Sequence, residues 1–126
     1  MTRPAGSDTT TEGIRVIAEA QFLPEESEPE QRQFVYAYRI RLRNEGTRRA
    51  RLASRHWIIL DADNHREDVR GPGVVGKHPD LKPGDEFEYT SGCSLRTKWG
   101  TMEGTYTFER EDGLMRVMRG ETSLEE

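Results

Sequence analysis

The chain has only one cysteine, Cys93, so no disulfide can close within it, and a reducing compartment is the expected setting. It has no apolar run approaching the roughly 20 residues that a membrane-spanning helix needs. Its opening stretch, MTRPAGSDTTTEG, lacks the apolar core of a signal peptide. A soluble, cytoplasmic protein without membrane insertion is expected. Positive charge is also scarce in net terms: charged residues make up 33% of the chain, yet the balance is −4. The bulk attraction that carries a general nucleic-acid binder is missing, and no specific nucleic-acid binding is predicted. No internal repeat, no heptad and no helical periodicity can be found, which excludes bundle and coiled-coil classes.

What is present is alternation. Ile14, Val16, Ala18, Ala20 and Phe22 share one side, with Arg15, Glu19 and Gln21 on the other, and Phe34, Tyr36, Tyr38, Ile40 and Leu42 repeat the alternation against Arg39, Arg41 and Arg43. This is the period-two mark of half-buried strands. Asn44-Glu45-Gly46 is a turn, and Arg49–Leu60 resumes as a strand whose parity switches between Leu52 and Trp57, predicting a bulge near Ser54–His56. Asp61–Asn64 reads as a turn, and Glu67–Arg70 as a short edge strand. Strands follow at Phe87–Ser91 and Met102–Phe108, with Leu95–Gly100 as a loop between them and Leu114–Arg119 as a last, weaker strand. About seven strands with regular turn signals predict an all-β, two-sheet antiparallel sandwich. In 126 residues one domain of this size buries roughly two-thirds of its unfolded surface. It is placed at 13–120, after a flexible polar lead at 1–12 and before a polar tail at 121–126.

Between strands lies Gly71-Pro-Gly73-Val-Val-Gly76, a literal G-x-G-x-x-G. A dinucleotide site of the Rossmann kind needs a helix after these glycines, and Lys77–Gly84, with its two prolines, cannot form one. Successive amides of mixed handedness can instead form a concave nest for an anion. The candidate ligand-binding residues are therefore Arg70, Gly71, Gly73, Gly76 and Lys77. The alternative is that the glycines only let the segment fold tightly against the sandwich. Arg39, Arg41, Arg43, Arg49 and Arg51 form a candidate basic surface, which weakens if the two strands carrying them belong to different sheets. Asp61, Asp63 and His65 are weak candidates for a divalent cation. Arg66 stands where an EF-hand loop requires glycine, so that motif is excluded.

Taken in order, Ser54-Arg-His-Trp57, Arg70-Gly-Pro-Gly-Val-Val-Gly76, Tyr89-Thr-Ser-Gly92 and Gly100-Thr-Met-Glu-Gly104 resemble the ApaG family over roughly Ile14–Phe108. The resemblance implies a sandwich like a fibronectin type III or immunoglobulin domain. It implies a link to cobalt tolerance and magnesium efflux, without an assigned reaction, and a gene neighbourhood concerned with diadenosine tetraphosphate breakdown. Similar domains in F-box proteins and in a partner of DNA polymerase δ act as interaction modules. Two departures stand out: His65 replaces a usual glycine, and MRVMRGETSLEE lacks the Ile-Pro-x-Phe-like ending of the family.

No catalytic constellation is legible. A lone Cys93 at a strand end is expected to be buried and inert, His56 to pack beside Trp57, and His78 to sit in a loop. The reading is a non-enzymatic domain that recognises a protein partner or a phosphorylated small molecule through the Gly71–Gly76 loop. No firm cofactor is expected beyond a phosphate- or pyrophosphate-containing ligand or a divalent cation. The alternative is a metal-linked or nucleotide-hydrolysing protein using the Asp61/Asp63/His65 turn. An exposed edge strand also offers a route to a homo-oligomer.

Overall fold

Alternation of apolar and polar side chains gives the longer strands one face to bury, and two antiparallel sheets bury those faces by packing against each other. A computed structural model describes residues 5–125. The strands are β1 (Ala5–Thr11), β2 (Ile14–Phe22), β3 (Phe34–Asn44), β4 (Ala50–Asp61), β5 (Arg66–Pro72), β6 (Asp80–Leu81), β7 (Glu86–Leu95), β8 (Trp99–Arg110) and β9 (Gly113–Glu125). One sheet has the order β1-β2-β3-β7; the other has β5-β4-β8-β9, with β6 paired to β4. The acidic stretch between β2 and β3 forms two short 3-10 turns, Pro24–Glu26 and Pro29–Gln31. Inward residues of both sheets make the core, among them Ile14, Tyr36, Ile40, Leu52, Trp57, Tyr106, Phe108 and Val117.

The sandwich is as expected, but the ends of the chain correct the expectation. The sequence predicts a flexible lead over residues 1–12, yet Ala5–Thr11 is a strand paired along β2 from Ala5↔Ala20 to Thr11↔Ile14. Met1–Pro4 lie outside the described residues. The polar β1 carries no alternation of its own. It is set by a two-residue turn in which Glu12 and Gly13 both have positive φ, the geometry of a tight hairpin. The polar tail at 121–126 is likewise mostly strand, because β9 runs on to Glu125 with Thr122 and Leu124 buried. One extra residue in β9, opposite the step from Met102 to Gly104, shifts the parity there and disguises the alternation. Trp99 opens β8 instead of lying in a loop. The bulge of β4 falls between Leu52 and Ser54, just before the expected place, and it turns Trp57 and Ile59 inward alongside Leu52.

The outer faces are laced with ion pairs. Arg39 makes a fork to Glu88 at 2.7 and 3.0 Å, Arg15 grips Asp8, and Arg49 binds Asp80. The guanidinium beside each of Asp8, Asp80, Glu88 and Asp112 holds its carboxyl below the usual range. A carboxylate whose pKa falls on folding supports the fold above its unfolded pKa and withdraws that support as pH falls through the folded one. Stability is therefore expected to be level from neutral pH down to about pH 5 and to decline steadily below about pH 4. Thermal unfolding followed by circular dichroism along a pH series measures this; a profile still flat at about pH 3 would show that these pairs contribute nothing.

Candidate functional site

The glycine stretch divides between strand and turn. Gly71 lies in β5, paired with Arg55, whose side chain donates to the carbonyls of Pro72 at 3.1 Å and Gly73 at 2.7 Å. Gly73 has φ +58, and a Cβ there would overlap the Lys77 carbonyl oxygen. Val74 and Lys77 exchange both backbone hydrogen bonds, at 2.9 and 2.8 Å, around Val75 and Gly76, which both have positive φ. The Gly73 amide donates to the Ala53 carbonyl at 2.9 Å. Three amides of the loop are thus committed to the protein's own carbonyls, and the segment is a tight hairpin pinned to β4. Arg70 and Lys77 are exposed beside it, with Arg70 3.8 Å from Asp68.

The other candidates come apart in space. Arg39, Arg41 and Arg43 lie on β3 in the first sheet, whereas Arg51 lies on β4 in the second and Arg49 just before it. The first three face Glu86 and Glu88 on β7; Arg49 and Arg51 pair with Asp80 and Glu109. Asp61 is buried and its Oδ1 accepts the amides of Asp63 and His65, each at 2.9 Å, which is a capped turn. Asp63 turns away toward Arg32. Among the described residues no three His, Cys, Asp or Glu side chains are grouped to hold a metal ion.

What the structure does assemble is a cleft. Along one flank the sandwich is closed, because β9 runs beside β1: Ser7 Oγ donates to the Gly120 carbonyl at 3.2 Å and the Met118 amide donates to Thr11 Oγ1 at 3.2 Å. The opposite flank is open between the edge strands β5 and β7. The inward positions of β7 there carry the small Ser91 and Cys93, and β5 contributes Glu67 and Val69, so the sheets leave space between them. The result is a cleft of about 520 Å³, with Tyr38 and Trp57 on its inner wall and Val74 and Val75 of the hairpin at its lip. His56 Nε2 lies 2.8 Å from Asp68 and ties β5 to β4 on the outer face of the sheet, away from the cleft.

Behind the wall stands Arg119. Trp57, Gly104 and Arg119 are neighbours across β4, β8 and β9, and Gly104 has no side chain to block the path between the other two. The guanidinium carbon lies 4.4 Å from the Trp57 ring centroid and 5.6 Å from that of Tyr38. Arg119 is 1% exposed, and its Nε, Nη1 and Nη2 find no hydrogen-bond partner among the described residues. Burial pushes its pKa down, with tyrosines around it acting in opposition. Nearby, the Tyr89 and Tyr106 hydroxyls share a buried hydrogen bond of 2.7 Å. Burial pushes the Cys93 thiol up to about 11. Arg119 went unnoticed in the sequence, although Met115, Val117 and Arg119 share one parity and so place an arginine on the core face.

The ApaG domain family profile matches residues 24–110. The proteins named ApaG from Dechloromonas aromatica and Anaeromyxobacter dehalogenans (strain 2CP-C) are 52% and 51% identical over 107 residues, 85% of this chain and 84% of each relative. A crystal structure of a Bordetella pertussis protein superposes with a TM-score of 0.87 at 42% identity, covering 99% of this chain and 97% of that one.

Proposed function

The chain belongs to the ApaG family, and from that premise we propose that it is a non-catalytic binding domain whose recognition surface is the open flank of the sandwich. The observation that carries this reading is the cleft between β5 and β7, walled by Trp57 and Tyr38 and lipped by the glycine hairpin. Concave space that combines aromatic and aliphatic side chains with placed polar groups is the usual form of a recognition site. The hairpin's part is to shape that lip: its glycines permit the turn, Arg55 anchors it from below, and Val75 is held out at its tip. Cys93 stays a thiol at neutral pH, which makes it a poor nucleophile and supports a binding role over a covalent one. In this reading the family's link to cobalt tolerance and magnesium efflux runs through what the domain binds, not through a metal held at Asp61, Asp63 and His65.

A fragment screen followed by backbone amide NMR tests the site without presupposing a ligand. Hits are expected to shift Val74, Val75 and Ser91–Ser94; hits gathered on β1 and β9 would overturn the assignment. Incubation with diadenosine tetraphosphate and magnesium is expected to leave the nucleotide intact, and turnover that survives in the wild type but fails in Asp61→Ala would replace binding with hydrolysis.

A further inference from the structure

We propose that the cleft takes a small organic monoanion, a carboxylate carried on an apolar body, and that Arg119 supplies its counter-charge from behind the aromatic wall. This rests on the cleft being the recognition site and adds what it recognises. A guanidinium that is 1% exposed, with three nitrogens that find no partner among the described residues, is costly to bury. Its position gives it a use. Lying over Trp57 and Tyr38, it offsets the negative potential of the ring faces, so a wall that would repel an anion becomes one that attracts it. The field acts at close range because the surroundings are apolar and little screened.

Among the described residues, two further charges face the cleft. Arg55 stands at the hairpin end, bonded to the Pro72 and Gly73 carbonyls, and Glu67 lines the cleft from β5. Together with Arg119 they sum to a single positive charge, which matches one carboxylate and not a diphosphate or a nucleotide tail. Glu67 also repels an anion at its own position, so the ligand's acid is directed toward Arg55 and the Trp57 wall. Ile59, Val69 and Met102 then meet the apolar body. A volume of about 520 Å³ is larger than one side chain needs and falls within the roughly 300–1,000 Å³ of small-molecule sites.

The test compares three probes of one shape: phenylacetate, neutral phenylacetamide and cationic phenethylamine, each titrated at millimolar concentration against labelled protein. Shifts of the Trp57 indole N–H and of the Ser91–Ser94 amides report binding. Phenylacetate is expected to bind about tenfold tighter than the amide, with the amine weakest. That preference is expected to disappear in Arg119→Met and to survive in Arg119→Lys. If the amide binds as well as the acid, the anion inference falls and the cleft remains the recognition site. If the acid preference persists in Arg119→Met, Arg119 is not its source and the inference falls as well. If none of the three moves the cleft resonances, the anion inference and the recognition site fall together.

Discussion

Gly104→Ala is expected to remove more than about 4 kcal/mol of stability and to leave little soluble protein. The residue has φ +155, where an L side chain is strained, and its Cβ would overlap the His56 carbonyl oxygen and lie 3.1 Å from the Trp57 Cα. Neither neighbour can yield. His56 and Trp57 belong to β4, which is held between β5 and β8, and Trp57 is packed edge-on against Tyr106 and Tyr38. Any shift that relieves the overlap therefore breaks either the sheet ladder or the aromatic core. Gly113→Ala is the natural comparison, because Gly113 also has a positive φ, +129, but a Cβ there meets nothing within 4 Å. That variant isolates the conformational penalty, about 1–3 kcal/mol. Urea unfolding of both measures the difference, and equal losses would mean that the overlap at Gly104 is relieved at no cost.

Arg119→Met is expected to act in the opposite direction and raise stability by about 1–4 kcal/mol. The wild-type guanidinium gives up its hydration on burial, and its nitrogens recover no hydrogen bond among the described residues. Stacking on Trp57 restores only part of this, about 2 kcal/mol for a desolvated cation–π pair. Methionine has similar reach, keeps the contact with the rings and carries no charge. Arg119→Ala, by contrast, leaves a cavity and is expected to be less stable than the methionine variant by about 2–5 kcal/mol. A higher urea midpoint for the methionine variant with an unchanged slope is the predicted result. A lower one would show that the arginine is satisfied where it lies. A protein that becomes more stable while losing its preference for acids would place Arg119 among residues kept for function at the expense of the fold.

Much of the architecture was legible because strand alternation is a local property. The parity of Ile14–Phe22 and Phe34–Leu42 read directly as inward and outward faces, and the switch between Leu52 and Trp57 predicted a bulge that exists. Local rules failed where pairing overrode composition. Ala5–Thr11 has no apolar face, yet β2 offers it a backbone edge and a Glu12-Gly13 turn supplies the register. In β9 an extra residue breaks the parity, so a strand that reaches Glu125 looks polar beyond Arg119.

The candidate site shows the same boundary more sharply. The glycines of Gly71–Gly76 were visible, but whether their amides converge depends on partners such as Ala53 and on the closing of the Val74–Lys77 turn. The arginines of β3 and β4 were visible, but their division between two sheets was not. By itself the sequence determined the class of the fold, the strands with clean alternation and the family, because these follow from residue order along the chain. Only the tertiary structure decided that Trp57, Gly104 and Arg119 lie side by side, and that the flank between β5 and β7 stays open while β1 and β9 close the other. The physical reason is that neighbours across strands and between sheets are chosen by packing over the whole chain, which no local pattern encodes.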